Sequence, residues 1–256
     1  MSNSLNVYVL PRYVESDGLE GGVAVVVDVL RASTTIITAL EAGAKEVIPC
    51  QEIEEARRFA VQFPPDEVIL GGERKGLPIE GFDLGNSPDE YTPYSVAEKT
   101  VVFTTTNGTR AIHHALPAAR VLIGAFVNAS AIFGQLIDAR HIHIVCAGTD
   151  GEISQDDVLL AGMLVERIER QSGMPFQLNA QAITARENWL HAFAVPQSIG
   201  AEPLAPERLA LELRRSLGGK NLVAVGLEDD ILFASQIDRY HGVPVVDRAT
   251  GHIRLA

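Results

Sequence analysis

Three apolar runs in this chain each break off into a short polar cluster and then resume with helical periodicity: VAVVVDVLRASTT (Val23 to Thr35), VVFTTTNGTR (Val101 to Arg110) and IHIVCAGTDGEISQDD (Ile142 to Asp157). Each has the form of a strand running into a helix. In an open α/β sheet such junctions gather where the carboxyl ends of the strands meet, and ligands bind there. The clusters combine Asp, Arg, Ser, Thr, Asn and Gly, a mixture suited to holding an anion and a metal rather than to core packing.

The remaining periodicity continues the same alternation. LNVYVL and GVAVVVDV read as strands, followed by a helix from near Ser33 to Gly43. EVIPC leads into EIEEARRFAVQF, EVILGG into a long loop, TVVFTT into a helix ending near Leu116, and RVLIGA into NASAIFGQLIDA. HIHIVC then leads into a helix from about Ser154 to Gln171, with Val158, Leu159, Met163, Val165 and Ile168 forming its apolar stripe. This ordering predicts an α/β protein of three layers, α/β/α, around a mostly parallel or mixed sheet.

The chain reads as one compact α/β unit over residues 1–256, with two similar halves, 1–117 and 118–256, left open. Between Ser172 and Leu217 the pattern gives helices broken at Pro175, Pro196, Gly200, Pro203 and Pro206 and no clear strand, a helical insertion. NLVAVG then reads as a strand, DDILFASQIDR as a helix, and GVPVVD with HIRLA as edge strands. The segment from Gly71 to Tyr94 lacks strong periodicity, and long loops of this kind are commonly functional.

Composition excludes several classes of function. A length of 256 residues is enough for a core without covalent staples, and two cysteines, Cys50 and Cys146, exclude a disulfide framework or a Cys-rich zinc site. No apolar stretch approaches the roughly 20 residues of a membrane span. The start, MSNSLNVYVLPRY, does not read as a secretion signal, so the expectation is a cytoplasmic protein. The net charge of −12 repels polyanions, which argues against nucleic acid as a partner. A small anionic substrate would need local Arg side chains, backbone N–H groups or a bound cation. Homo-oligomerisation is left open.

At the first junction, Asp28 is costly to bury without a partner and suits a divalent cation or a nucleophilic role. Ser33 or Thr34 would cap the following helix. At the second junction, Thr104, Thr105, Thr106, Asn107, Gly108 and Thr109 resemble a phosphate cradle; an Asn-Gly turn among β-favouring threonines is the plainer account. At the third, Gly148 and Gly151 loosen the loop, and Ser154 with Asp157 has capping-box spacing. Successive helical residues diverge by about 100°, so only one of Asp156 and Asp157 is expected to address a common site. Glu73 and Arg74 follow strand EVILGG, and Arg74 suits bidentate anion binding. Cys146 is expected in the core, and His113, His114, His141 and His143 at the surface or in packing.

Taken together, DVLRASTT, GGER, GNSP, TTTNGT, CAGTDGEISQDD, GGKNL and GLEDDILFASQID resemble the 2-phosphosulfolactate phosphatase family over most of the chain. Asp156 stands where that family more often has Glu, and Ala234 and Ser235 where a Cys is common. The resemblance implies a magnesium-dependent phosphoric monoester hydrolase that acts on the phosphate ester of a 2-hydroxy sulfonate on the route to coenzyme M. For such chemistry, Asp28, Arg31, Asn107 and Asp157 are the expected catalytic residues, and Asp28, Glu73 and Asp157 the Mg²⁺ ligands. Ser33, Thr34, Arg74, Thr105, Thr106, Gly108, Thr109 and Gly148 would bind substrate. An aspartyl phosphate on Asp28 and a metal-activated water both remain open as the nucleophilic route. The rival readings are a phosphatase for another small phosphorylated acid and a non-catalytic module that binds a phosphorylated or sulfonated metabolite. A nucleotide-dependent enzyme is disfavoured because neither dinucleotide nor P-loop glycine motif occurs.

Overall fold

The structure, a computed structural model, describes residues 2–15, 18–193 and 204–256. In chain order, the first half comprises β1 (Asn3–Tyr8), β2 (Val23–Val27), α1 (Ala32–Glu41), β3 (Glu46–Cys50), α2 (Ile53–Ala60), β4 (Val68–Arg74), β5 (Leu77–Pro78), α3 (Pro93–Val96), β6 (Thr100–Thr104) and α4 (Gly108–Ala115). It continues with β7 (Arg120–Gly124), α5 (Ala129–Leu136), β8 (His141–Cys146), α6 (Gln155–Gln171), β9 (Phe176–Leu178), α7 (Ala180–Ala192), α8 (Pro206–Leu213), α9 (Leu217–Ala224), α10 (Asp229–Ala234), β10 (Pro244–Val246) and β11 (Ile253–Leu255).

One mixed sheet of 11 strands has the order β5-β4-β6-β3-β11-β10-β7-β2-β8-β1-β9. The side-chain period of two sorts its residues between helical layers. Val25 and Val27 of β2, with Leu122, Ile142 and Ile144, pack under α5, α6 and α7. Ala24 and Val26, with Val121 and Ile123, face α1 and α4 on the other side. Ile48, Cys50 and Val102 form a smaller core with Ala56 and Ala60 of α2. The architecture is therefore three-layer α/β/α, and Cys146 is wholly buried in it.

Two blocks of parallel strands make up the sheet, β4-β6-β3 and β7-β2-β8-β1-β9, and β10 with β11 joins them through antiparallel pairings. The blocks draw on residues 46–104 and on residues 3–27 with 120–178, so the division of the sheet is not a division of the chain at residue 117. Three antiparallel steps leave the blocks running in opposite senses. In a flat sheet their carboxyl ends would lie on opposite edges. Large sheets curl and twist by roughly 20–25° per strand pair, and here the loops after β2 and β6 touch. A Cβ on Gly108 would lie 2.8 Å from Asp28 Oδ2.

Several local expectations are corrected. NLVAVG is helical: Ser216 caps α9 by accepting from Gly219 N–H, and this tertiary setting overrides the strand preference of the β-branched residues. The insertion contains a strand, β9, which extends the sheet beside β1; the breaks expected at Pro196, Gly200 and Pro203 lie outside the described residues. GVPVVD and HIRLA are not edge strands but the central splice, pinned where His252 and Arg254 meet Glu46. Finally, α1 begins at Ala32, and neither Ser33 nor Thr34 caps it.

Candidate active site

The loops after β2, β6 and β8, the β4–β5 turn and α9 enclose a cavity of about 60 Å³. That is well below the ~300 Å³ at which pockets for drug-sized ligands begin. Its walls carry Asp28, Arg31, Glu73, Lys75, Asn86, Thr105, Thr106, Asn107, Thr149, Asp150 and Asn221.

Asp28 ends the apolar strand and is 7% exposed. Its Oδ1 accepts from Ala32 N–H at 3.2 Å, which ties the carboxylate to the start of α1. Burial, then the neighbouring Asp156 and, more weakly, Glu73, push its pKa from the ordinary 3.8 up to about 7. Such a concentration of carboxylates is unfavourable alone and favourable around a cation. Glu73 is equally buried; its Oε1 accepts from Thr106 N–H at 2.8 Å and its Oε2 from Gly76 N–H at 2.7 Å. It therefore stitches the β6 loop to the β4–β5 turn at the cavity wall.

Arg31 is 5% exposed and makes a buried ion pair with Asp230 of α10, Nη1 to Oδ2 at 2.7 Å. Its Nη2 donates to the Gly76 carbonyl at 3.0 Å, and Ser87 Oγ donates to the other Asp230 oxygen at 2.6 Å. Two of the five guanidinium N–H groups are thus assigned on a residue that lines the cavity. Among the described residues, three buried oxygens have no hydrogen-bond partner, Asn86 Oδ1, Thr105 Oγ1 and Thr106 Oγ1, and all three residues line this cavity. Buried polar atoms are normally paired, so three orphans in one place mark a site for a polar ligand. The helix α4 starts beside them at Asn107 with no side-chain cap, leaving its first N–H groups available to an anion. Gly108 is required there because any Cβ would meet Ala32 Cβ at 2.5 Å.

Other expected site residues take different places. Arg74 follows Glu73 on a strand, so its side chain points to the opposite face. It donates to the carbonyls of Glu73 and Gln51 and to Thr104 Oγ1, and it does not line the cavity. The expected anion clamp at Arg74 is therefore replaced by a backbone tie. Asp157 is also displaced from the cavity: its Oδ1 accepts from Val29 N–H at 2.9 Å and its Oδ2 from Gly148 N–H at 2.9 Å. It joins the β2 and β8 loops, and burial first, with Asp156 and Asp28 as neighbours, raises its pKa well above the carboxylate range. The Ser154–Asp157 capping box does not form, since Ser154 Oγ bonds Asp156 instead.

Asp156 accepts from Leu30 N–H, so both α6 carboxylates reach adjacent amides of one loop despite their angular separation. Ser33 and Thr34 direct their hydroxyls to the carbonyls of Val26 and Val29. Thr109 Oγ1 bonds the Thr105 carbonyl, and Gly148, at φ +69°, serves through its backbone. None of these four lines the cavity. His113 and His114 are exposed, while His143 is buried against Tyr8. Lys75, Asn86, Thr149, Asp150 and Asn221 are cavity residues that sequence patterns alone did not single out as site residues. Four of them lie in blocks that carry the family resemblance, Asn86 in GNSP, Thr149 and Asp150 in CAGTDGEISQDD and Asn221 in GGKNL, whereas Lys75 lies in none.

Among the described residues, no group of three or more His, Cys, Asp or Glu side chains is arranged to hold a metal. The donor set at the cavity is two buried carboxylates with neutral oxygens. Mg²⁺ suits such a set, because it keeps several waters and takes one or two protein carboxylates together with substrate phosphate.

A family model described as 2-phosphosulpholactate phosphatase matches residues 8–249. This chain belongs to that family. The match to the 2-phosphosulpholactate phosphatase family spans every residue of the cavity, from Asp28 to Leu222. A probable 2-phosphosulfolactate phosphatase of Symbiobacterium thermophilum is 40% identical over 231 residues, covering 90% of this chain and 93% of that protein. Its counterpart from Pseudothermotoga lettingae is 39% identical over 223 residues, 87% of this chain and 88% of that protein. The one from Clostridium perfringens is 36% identical over 234 residues, covering 90% and 88%. Among the described residues, no helix is long and apolar enough to cross a membrane.

Proposed function

We propose that this protein is a magnesium-dependent phosphatase that hydrolyses 2-phosphosulfolactate to 3-sulfolactate and phosphate. The observation that carries the reading is the pairing, in one small cavity, of buried Asp28 and Glu73 with three orphaned oxygens and an uncapped helix start. The family and the relatives, probable 2-phosphosulfolactate phosphatases, supply the substrate class. Asp28 and Glu73, helped by Asn86 Oδ1, would hold Mg²⁺, which when bound neutralises phosphoryl charge and lowers the pKa of a bound water. Arg31, the hydroxyls of Thr105 and Thr106 and the first amides of α4 would grip the phosphoryl oxygens, donors fixed before the substrate arrives.

Either nucleophile fits: Asp28 with its carboxylate, or a water held beside it. The small cavity favours a phosphoryl group with a short acid over a nucleotide. A phosphate-release assay with Mg²⁺ tests the reading. Turnover of 2-phosphosulfolactate that stops on chelation and is absent in Asp28→Asn supports it. Tight binding of the substrate without turnover would favour the non-catalytic module, and faster release from another phosphorylated acid would reassign the substrate.

A further inference from the structure

We infer that Lys75 is the specificity-determining residue that recognises the sulfonate of the substrate, an inference resting on the phosphatase reading above. The β4–β5 hairpin closes between Arg74 and Leu77 with a two-residue turn, and both turn residues have positive φ, Lys75 at 55° and Gly76 at 79°. That geometry is served best by Asn-Gly, Asp-Gly or Gly-Gly, whose residues adopt the left-handed region at little cost. Lysine gains nothing from it locally. A lysine at an unfavourable backbone position points to a function for its side chain.

The turn is fixed to the centre of the site. Gly76 N–H donates to Glu73 Oε2 at 2.7 Å and its carbonyl accepts from Arg31 Nη2 at 3.0 Å, so the residue next to Lys75 is held on both sides by cavity-wall side chains. On the far side, Gly76 faces the residue that follows α9, with Val225 Cγ2 4.0 Å from where its Cβ would be. Lys75 therefore lines the cavity on a turn tied to its walls rather than on a free loop.

Charge gives the same assignment. The cavity is lined by three acidic side chains, Asp28, Glu73 and Asp150, and two basic ones, Arg31 and Lys75. Asp230 already neutralises Arg31, whereas no ion pair of Lys75 occurs among the described residues. A substrate with phosphate, sulfonate and carboxylate groups needs a further cation beyond those at the phosphoryl end. An ammonium offers three donors from a point charge, which matches the three equivalent oxygens of a sulfonate. A planar carboxylate pairs better with the fork of an arginine.

The test compares 2-phosphosulfolactate with 2-phospholactate, which lacks the sulfonate, in the wild type, Lys75→Gly and Lys75→Arg. Glycine removes the side chain and relaxes the left-handed turn, so an effect cannot be laid to a damaged hairpin. The ratio of kcat/KM for the sulfonated over the unsulfonated substrate should fall roughly 10- to 100-fold in Lys75→Gly, the range of a charged hydrogen bond. Lys75→Arg should keep only part of it, because the charge stays while the three-donor match is lost. An unchanged ratio in Lys75→Gly, with the wild type active, overturns the assignment and leaves the phosphatase reading standing; an equal loss on both substrates also overturns it, by placing Lys75 on phosphate or carboxylate. A wild type that hydrolyses neither substrate overturns both.

Discussion

Replacing Asp230 by Ala removes the partner of a guanidinium that has little water to turn to, since both side chains of the Arg31–Asp230 pair are 4% exposed. Breaking a buried ion pair from one side costs about 3–5 kcal/mol, because the remaining charge stays desolvated. The loss here is not softened by the Gly76 carbonyl, which occupies Nη2 while Asp230 serves Nη1. Ser87 Oγ loses its acceptor as well. For a chain of this size each kcal/mol lowers Tm by about 2–4 °C, so Asp230→Ala should melt about 6–20 °C below the wild type. Arg31→Met alone should also destabilise, by stranding Asp230. The double variant removes both charges, and the cycle should return a coupling of about 2 kcal/mol or more. Urea titration of the four proteins measures it. Additive losses, or an Asp230→Ala cost below about 1 kcal/mol, would refute the claim that Asp230 holds Arg31 in place.

Three other variants bear on the same loops. Asp28 has a raised pKa, so its contribution to stability is fully present below 3.8 and is lost as pH rises through about 7; the difference, at about 1.4 kcal/mol per pH unit, is about 4 kcal/mol. In chelator, Asp28→Asn should therefore melt above the wild type at pH 8 and close to it at pH 4, and Mg²⁺ should stabilise only the wild type; parallel melting curves from pH 4 to pH 8 would count against the buried charge. Gly108→Ala should cost about 1–3 kcal/mol and most of the activity, since its Cβ would sit 2.5 Å from Ala32 Cβ; full activity with unchanged urea midpoint would show that the loops do not meet as described. Asp157→Asn turns an amide donor toward Val29 or Gly148 N–H and should cost about 1–3 kcal/mol while changing Mg²⁺ affinity far less than Glu73→Gln, as read by calorimetry; equal losses of affinity would restore Asp157 as a metal ligand.

The strand-to-helix junctions were legible because each couples an unbroken apolar run to a polar cluster, and Asp28, Arg31, Thr105, Thr106 and Asn107 all reach the cavity they were expected to share. What sequence could not show is which way a side chain leaves its strand. Glu73 and Arg74 are neighbours in sequence yet face opposite sides, so one reaches the cavity and the other ties down Gln51. Asp157 differs from Glu73 in position: the oxygens of both accept backbone N–H groups, but only Glu73 lines the cavity, while Asp157 is spent joining the β2 and β8 loops behind it. Asp230 was not readable as a site residue because its role arises from a contact across the chain, 199 positions from Arg31. The strand reading of NLVAVG followed local preference, which the Ser216 cap and the packing of Leu222 override.

The central claim is that loops from two oppositely directed blocks of one sheet build a single cation and phosphate site. Crystals grown with Mn²⁺ in place of Mg²⁺, together with vanadate as a phosphate mimic, test it by anomalous scattering. The account predicts one strong metal peak in contact with Asp28 and Glu73, and vanadate against Arg31 and the start of α4. A metal held by Asp157 without Glu73, or a vanadate at Arg74, would contradict it.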